Sequence, residues 1–256
     1  MTNTARYPSL HGVPVVISGG ASGIGESLVR RFAEQGAKVG FVDIQAERGD
    51  ALAQELGSLG HTVQFAPCDI TNIEAYQAAI NEFATYHGDA LVLVNNAAHD
   101  QRHEWSEVTP AYWDDRMAVN LKHSFFATQA VAPGMIKAKR GSIINTGSIS
   151  WMIMSPSIPV YETAKAAAHG LTRAMARELG KHGIRVNTLV PGWIMTERQL
   201  THWVDSKAEV LIDEQQALAG RVYPDDVARM ALFLAADDSA MISAQQFLVD
   251  GGWANT

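Results

Sequence analysis

The fold of this chain is decided by Ser18-Gly19-Gly20-Ala21-Ser22-Gly23-Ile24-Gly25, which lies between the apolar run Val13–Ser18 and the segment Gly23–Gln35. The apolar run is typical of a buried strand. The segment after it repeats apolar residues at helical spacing and stops before Gly36, a residue type that often terminates helices. Glycines allow a tight turn and let a pyrophosphate approach the backbone, and the helix start offers unpaired N–H groups. This unit therefore predicts a nucleotide-binding site.

The alternation of buried strand and amphipathic helix continues along the chain. Runs rich in Val, Ile and Leu predict seven parallel strands at Val13–Ser18, Lys38–Asp43, Thr62–Pro67, Ala90–Asn95, Gly141–Ser148, Ile184–Val190 and Gln245–Asp250. Helices are predicted at Gly23–Gln35, Asn72–Tyr86, Pro110–Lys139, Val160–Lys181 and Pro224–Ala236. We expect residues 1–256 to form one α/β domain, a Rossmann-type doubly wound seven-stranded parallel sheet with helices on both faces. Residues 193–220, a longer connection, are expected to form a substrate lid.

Composition excludes several classes of protein. The 256 residues are 47% hydrophobic and 18% charged, with a net charge of −7, which excludes a disordered chain and disfavours nucleic-acid binding. The longest apolar runs, such as Met230–Ala236, are too short to span a bilayer, and Met1–Leu10 has no apolar signal core. The single cysteine, Cys68, agrees with a reducing compartment. We therefore expect a cytoplasmic protein with neither nucleic-acid nor membrane partners.

Asp43 ends the second predicted strand, where a carboxylate can accept the ribose hydroxyls of an adenosine and repel a 2′-phosphate. Ile44 and Gln45 follow it, so no basic residue stands directly beside it, and Arg48 is interpreted as part of a solvated helix face. The pattern favours NAD over NADP. Asp69, after the third strand, is either an adenine contact or the N-cap of the next helix.

Tyr161 and Lys165 lie four residues apart at the start of a predicted helix and therefore share a face. A free tyrosine, with a pKa near 10, is a poor base at neutral pH, and a nearby ammonium favours the phenolate. Ser148, at the end of the fifth predicted strand, could hold a substrate oxygen. Asn120 lies within a long predicted helix, where asparagine is unfavourable, and indicates a local distortion.

These residues, with Asn95-Asn96-Ala97, Pro191-Gly192 and Val249-Asp250-Gly251-Gly252, resemble the short-chain dehydrogenase/reductase family over essentially the whole chain. The resemblance implies that Tyr161 is the general acid/base and that Ser148 polarises the substrate oxygen. It also implies that Lys165 lowers the tyrosine pKa and binds the nicotinamide ribose, and that Asn120 holds a relay water. The implied cofactor is NAD, and the expected contacts are Gly19, Ser22, Gly23, Ile24, Gly25, Asp43, Ile44, Asp69, Ile70, Asn96, Ala97, Tyr161, Lys165, Pro191, Ile194 and Thr196. Two departures from the family pattern are Ala98 in place of glycine and Ser18 in place of threonine.

A narrower resemblance is to the NAD-dependent aldose 1-dehydrogenases of this family, which oxidise a cyclic sugar at C1 to a lactone. It rests on Tyr7-Pro8-Ser9-Leu10, Arg102-His103, Ala111-Tyr112-Trp113-Asp114, residues 128–135, Gly147-Ser148-Ile149-Ser150-Trp151, Tyr161-Glu162-Thr163-Ala164-Lys165 and Arg198-Gln199. The loop Met152-Ile153-Met154-Ser155-Pro156 departs from it, because this apolar stretch offers few partners for sugar hydroxyls.

Candidate substrate contacts are Ser148, Trp151, Tyr161, Trp193 and His99, while Trp203 is expected to serve in packing. For Trp151 and Trp193, lid packing remains an equal alternative. His99 and His103 have the spacing of metal ligands on a helix, but no third ligand cluster is evident, and we expect no metal site.

Three functions compete. The first is an NAD-dependent dehydrogenase for a small sugar or polyol. The second is a carbonyl reductase or alcohol dehydrogenase for an apolar ketone, steroid or acyl substrate, favoured by the apolar loop. The third is a non-catalytic cofactor-binding scaffold, which the complete catalytic set argues against. We also expect a homotetramer, because the two long helices carry further apolar or small residues and the last strand ends at a coverable edge: Phe125, Phe126, Ala166, Ala167, Leu171 and Gly251-Gly252-Trp253.

Overall fold

The computed structural model describes residues 5–254, and within them seven strands form one fully parallel sheet. The strands are β1 (Pro14–Ser18), β2 (Lys38–Asp43), β3 (Val63–Pro67), β4 (Val92–Asn95), β5 (Gly141–Thr146), β6 (Ile184–Pro191) and β7 (Gln246–Val249). The predicted strands are all present, with ends that differ by up to two residues. The segment Met1–Leu10 is the one without an apolar signal core, and its first four residues lie outside the described residues. The last two residues of the predicted domain also lie outside them.

The helices lie between the strands. They are α1 (Gly23–Glu34), α2 (Ala46–Ser58), α3 (Ile73–His87), α4 (Pro110–Met117), α5 (His123–Ala138), α6 (Pro159–Leu179), α7 (Glu197–His202), α8 (Ser206–Gln215) and α9 (Pro224–Ala235). Sequence analysis assigned no helix at α2, which contains two glycines. One of them, Gly49, lies against β3 so closely that a Cβ there would be 2.3 Å from the Phe65 ring. Tertiary packing therefore favours a helix that local propensity did not indicate.

Each face of the sheet has its own apolar core, as a doubly wound fold requires. On one face α1 and α9 pack together, and the buried side chains include Phe32 and Leu232. On the other face α3, α5 and α6 contribute, with Phe83 and Met135 buried. The prediction of helices on both faces is confirmed.

The strand order is β3-β2-β1-β4-β5-β6-β7, so the chain changes direction across the sheet between β1 and β4. In open α/β sheets ligands bind beyond the carboxyl ends of the strands at such a switch point. The glycine-rich turn follows β1, and Asn96 follows β4. The order therefore brings two of the predicted cofactor segments side by side.

Among residues 5–254, the helices are all too short or too polar to cross a bilayer.

Candidate functional site

The glycine-rich turn is closed by contacts that leave no room for side chains. Gly19 has a φ of 69°, in the left-handed region that favours glycine, and a Cβ on it would be 2.8 Å from Ala97 Cα. A Cβ on Gly25 would lie 1.7 Å from the carbonyl oxygen of Gly19. Gly23 also has a positive φ, of 57°. The geometry of this turn therefore requires glycine at these positions. Because glycine has no side chain, the backbone of the turn stays accessible.

Ser18 and Asn96 lock the turn to the end of β4. The Ser18 hydroxyl accepts hydrogen bonds from the N–H groups of Asn96 at 3.0 Å and Ala97 at 3.1 Å. The Asn96 amide donates to the carbonyl oxygens of Ser18 at 3.1 Å and Gly19 at 3.0 Å. Serine in place of threonine supplies the same hydroxyl, and Ala98, the other departure, is exposed on the cavity wall. Both substitutions leave the local geometry intact.

Asp43 is buried at the end of β2 and already serves the backbone. Its Oδ2 accepts from Ala21 N at 3.0 Å, and its Oδ1 accepts from Gln45 N at 2.9 Å. A carboxylate has about four acceptor sites, so it can still accept ribose hydroxyls. Asp69 accepts from the N–H and hydroxyl of Thr71 and lies on the cavity wall.

The N-cap alternative for Asp69 is wrong, because Asn72 caps α3 by accepting from Ala75 N at 3.1 Å.

All sixteen predicted cofactor residues line one cavity of 1640 Å³ that also contains Ser148, Trp193 and His99. Single-ligand pockets are usually about 300–1,000 Å³, so this cavity can hold a dinucleotide together with a substrate. In the described part of the chain, the Ser22 side chain makes no capping bond at the start of α1. The first N–H groups of that helix remain free for a phosphate. The residues present therefore fit a dinucleotide cofactor.

Ser148, Tyr161 and Lys165 come together as predicted, although Ser148 lies two residues beyond β5. The Ser148 side chain lies next to the Tyr161 phenol, where it acts to lower the tyrosine pKa. Lys165 is buried, with Nζ donating to the carbonyl oxygen of Thr146 at 2.8 Å and lying 5.6 Å from the centre of the Tyr161 ring. An ammonium has three donors, so two remain for a ligand.

The electrostatics of this group differ from the expectation in one respect. Burial, and after it the carboxylate of Asp100, raise the pKa of Tyr161 well above its ordinary value, and the Ser148 side chain acts to lower it. Burial also lowers the pKa of Lys165 to about 8. The lowering of the tyrosine pKa expected from Lys165 does not prevail in this structure, because a dry environment disfavours both charged forms.

Asn120 lies in a π-helical segment, Ala118–Lys122, which joins α4 to α5. The predicted helix Pro110–Lys139 is thus bent at the predicted distortion, and π segments often mark functional sites. Its Oδ1 accepts from His99 N at 2.8 Å, and its Nδ2 donates to the carbonyl oxygens of Arg116 at 2.9 Å and His99 at 3.2 Å. Asn120 is buried outside the cavity wall and fixes the segment after β4 to the helix bend.

The cavity wall beside Tyr161 is polar on the side formed by residues 96–109, called here the β4 loop, and by residues 193–220, the lid segment. Charged and polar side chains on this wall are His99, Asp100, Arg102, Arg116, Arg198, Gln199 and His202. The Nδ1 of His99 is 2.6 Å from the Arg116 guanidinium, and burial with this cation lowers the pKa of His99. Of these residues, only His99 was predicted from the sequence to contact substrate. The motifs Arg102-His103 and Arg198-Gln199, quoted above for the narrower resemblance, were the sequence signal that could have identified Arg102, Arg198 and Gln199.

The predicted tryptophans separate in the structure. Trp193 lies on the cavity wall, and its Nε1 donates to Gln199 Oε1 at 3.0 Å. The centre of its ring lies 6.2 Å from the centre of the Trp253 ring. Trp151 does not lie on the wall, because the chain turns between Ile149 and Ser155. Trp203 packs under the Arg102 guanidinium at 4.2 Å, in agreement with a packing role. Trp151 is therefore not placed to contact substrate.

The apolar loop after β5 is explained in part by packing. Met152 and Ile153 pack against a small apolar cluster beneath the lid segment that contains Ile212 and Trp253. Met154 is 84% exposed. The apolar character of this loop therefore does not require an apolar ligand.

Arg48 is not simply part of a solvated helix face. Its NH2 is 2.5 Å from Oε2 of Glu197, the first residue of α7, and both residues line the cavity. The pair connects α2 to the lid segment at the rim of the cavity. Sequence reasoning missed this pair, because its members are 149 positions apart.

Comparisons with known proteins find relatives over nearly the whole chain. The family described as enoyl-(acyl carrier protein) reductase matches residues 19–254. D-xylose 1-dehydrogenase of Caulobacter vibrioides is 48% identical over 251 residues, which cover 98% of this chain and 99% of the relative. The probable galactose dehydrogenase of Rhizobium meliloti is 44% identical over 250 residues, covering 97% and 98%. A solved 3-oxoacyl-[acyl-carrier protein] reductase with bound NAD from Brucella melitensis has a TM-score of 0.89 and 31% identity, covering 98% of this chain and 94% of its own.

The match over nearly the full length, the parallel sheet and the clustered serine, tyrosine and lysine converge on one family of oxidoreductases that act on CH–OH groups of small molecules with a nicotinamide cofactor. The chain belongs to the short-chain dehydrogenase/reductase family.

Proposed function

We propose that this protein is an NAD-dependent sugar dehydrogenase that oxidises the hemiacetal carbon of a small aldose. The observation that carries the proposal is the polar cavity wall beside Tyr161, formed by side chains such as His99, Asp100 and Gln199. A sugar presents several hydroxyls, and each buried hydroxyl needs a hydrogen-bond partner. The relatives named D-xylose 1-dehydrogenase and probable galactose dehydrogenase support the same substrate class.

In this proposal Tyr161 acts as the general base and removes the proton from the anomeric hydroxyl, while Ser148 holds and polarises that oxygen. NAD, when bound, accepts the hydride, and its positive ring favours the phenolate. Lys165, with two free donors, holds the cofactor ribose beside Tyr161. Asn120 fixes the β4 loop behind them, and a relay water at Asn120 stays a prediction.

The choice of NAD rests on Asp43. Its carboxylate at the end of β2 would accept the ribose hydroxyls and repel a 2′-phosphate. Arg48, the nearest cation on α2 that could attract such a phosphate, is already paired with Glu197. The structural relative with bound NAD supports the same choice.

The alternative is a carbonyl reductase or alcohol dehydrogenase for an apolar ketone, steroid or acyl substrate. Exposed Met154 and the family description as an acyl carrier protein reductase favour it. Met152 and Ile153 also line the cavity, but their packing beneath the lid segment gives their apolar character a structural role as well.

The proposal also includes assembly and location. A homotetramer would bury Phe125, which is 43% exposed on α5, and cover β7 at the end of the sheet. The lid segment would cover the substrate, and the lone cysteine agrees with a cytoplasmic location. Light scattering at micromolar concentration tests the assembly, and a stable monomer would contradict it.

The activity is tested by NADH formation over a panel of aldoses, polyols, hydroxysteroids and secondary alcohols, each with NAD and NADP. We expect turnover with aldoses and NAD, and a lactone as product. Preferential oxidation of hydroxysteroids or simple secondary alcohols would replace this proposal by the alternative.

A further inference from the structure

The carboxylate of Asp100 joins the β4 loop to the lid segment. Its Oδ1 accepts from Arg198 Nε at 3.0 Å, and its Oδ2 accepts from Gln199 Nε2 at 2.6 Å. Gln199 in turn accepts from Trp193 Nε1 at 3.0 Å. One carboxylate therefore fixes two consecutive residues of α7 and, through Gln199, a third residue of the lid segment.

The same carboxylate lies near the proposed base. Asp100, Arg198, Gln199, Tyr161 and Lys165 all line one cavity. Asp100 is 27% exposed and Arg198 44% exposed at their side chains, so solvent screens the pair only in part. A carboxylate at this place disfavours a phenolate and favours an ammonium, and Asp100, although paired with Arg198, accordingly acts to raise the pKa values of Tyr161 and Lys165.

Other charged groups surround this position. They are His99 and Arg102 on the β4 loop, Asp115 and Arg116 on α4, Glu162 and Lys165 on α6, and Arg198 and His202 on α7. Arg116 is engaged by Asp115 and His99, and Arg102 by the Trp203 ring. Arg198 is the cation that the geometry places directly on Asp100.

We propose that Asp100 is a positioning residue of the oxidation, which holds the lid segment at the cavity wall through Gln199 and Arg198, with Arg198 offsetting part of the charge of the Asp100 carboxylate. The inference rests on the proposed role of Tyr161. The contact is already formed in this structure, and it joins the lid segment to a carboxylate that acts on Tyr161, so lid position and the ease of forming the phenolate are linked. If the contact opens, Arg198 leaves and the bare carboxylate opposes ionisation of Tyr161.

The electrostatic part is tested by the pH dependence of kcat in Arg198→Gln, Asp100→Asn and the double variant. In a plot of kcat against pH, Arg198→Gln should move the limb on which kcat rises with pH to higher pH by about half a unit. This size is appropriate to a partly screened charge. In the Asp100→Asn background the same Arg198 substitution should have a clearly smaller effect, because the carboxylate that holds Arg198 at this place is gone. Equal shifts in both backgrounds, or no shift in either, would overturn this part.

The positioning part has a readout that does not need activity. Hydrogen exchange of amides in and directly after α7, such as Leu200 and Trp203, should become at least about tenfold faster in Asp100→Asn, since two hydrogen bonds lose their charged acceptor. Gln199→Met should have a similar effect without touching the carboxylate. The matched control is Asp213→Asn, which breaks the 2.5 Å pair between Asp213 of the lid segment and Arg221 directly after it, away from the cavity wall.

The two readouts separate the possible failures. Faster exchange in Asp100→Asn and Gln199→Met, with no sugar oxidation by the wild type, would reject the proposed function and keep the lid contact. Unchanged exchange in both variants, in a protein that oxidises sugars, would reject the lid contact alone. Faster exchange in Asp213→Asn to the same extent would show a general loosening of the lid segment and also reject it.

Discussion

The two halves of the cavity are built in different ways. The cofactor half is formed by Ser18–Gly25 with Asp43 and Asn96, and its geometry comes from a backbone turn that admits no Cβ at Gly19 or Gly25. The substrate half is formed by the β4 loop and the lid segment, joined by side chains as far apart as Asp100 and Gln199, 99 positions along the chain. The turn of the first half is specified locally, although Asp43 and Asn96 join it from distant strands, whereas the second half exists only after the chain has folded.

This difference predicts different responses to mutation. A side chain added at Gly19 or Gly25 must move backbone, since the nearest atoms there include main-chain atoms. A change in the substrate half removes single hydrogen bonds or charges, which a loop can partly accommodate. Effects should therefore be large and general at the turn, and smaller and substrate-dependent at the lid.

The largest expected effect is at the junction of the two halves. Tyr161→Phe removes only the phenolic oxygen, so turnover should fall by at least 10²–10⁴-fold, the range typical of general acid–base steps. Cofactor affinity, measured by fluorescence titration with NADH, should stay close to that of the wild type. Wild-type turnover in a folded variant would remove Tyr161 from its proposed role.

Gly25→Ala tests the cofactor half alone. The added Cβ would lie 1.7 Å from the Gly19 carbonyl oxygen, so the turn must shift, and displacements of this order typically cost about 10²-fold. We expect cofactor affinity to fall by about that factor.

The matched control is Gly57→Ala in α2, where a Cβ would meet no atom within 4 Å. It should leave affinity unchanged and raise thermal stability slightly, because alanine is the better helix former. Equal loss of affinity in both variants would contradict this account.

The cofactor preference should be reversible at two positions. Asp43→Ala would leave the N–H groups of Ala21 and Gln45 without acceptors, whereas Asp43→Asn keeps an acceptor for one of them and is the milder change. Combined with Ile44→Arg, at a side chain that is 73% exposed, it should shift the NAD-to-NADP ratio of kcat/KM by about tenfold toward NADP. The two single variants show how much each position contributes. Equal use of both cofactors by the wild type would contradict the proposed role of Asp43.

The pH profile gives a smaller and directional effect. Because burial and Asp100 raise the pKa of Tyr161, the phenolate becomes available as pH increases, and oxidation should be faster at alkaline than at acidic pH. Lys165→Met removes a cation near the ring, which should move this limb to higher pH; a shift of one unit lowers the phenolate population on the limb about tenfold. A flat profile, with a deuterium isotope effect showing that hydride transfer limits the rate, would exclude Tyr161 as the base.

The comparison also explains what the sequence could and could not reveal. The strands, the glycine turn and the Tyr161–Lys165 pair depend on residues close in sequence, so their patterns predicted them. Helix α2 was missed because two glycines weaken its local signal, and its support is the contact of Gly49 with Phe65. Trp151 was wrongly placed because a turn follows β5 and interrupts the strand.

Asp100 and Gln199 could not be assigned from sequence, because only the folded chain brings their segments together. The sequence also could not decide whether Asp69 or Asn72 caps α3, because the two residues are three positions apart and equally suited to cap a helix. Only the geometry shows that Asn72 accepts from Ala75. Short polar side chains near a helix start are ambiguous until the backbone path is known.

The ion pair between Arg48 and Glu197 has a kinetic consequence. It connects α2 with α7 at the rim of the cavity, and both side chains are exposed, by 52% and 74%. Dissolved salt weakens such contacts because counterions screen exposed charges over about 10 Å at 0.1 M. Departure of the reduced nucleotide, which must pass this rim, should therefore accelerate a few-fold as ionic strength rises. If departure limits the overall cycle, the enzyme turns over faster in a salty medium although every group that touches the sugar is unchanged.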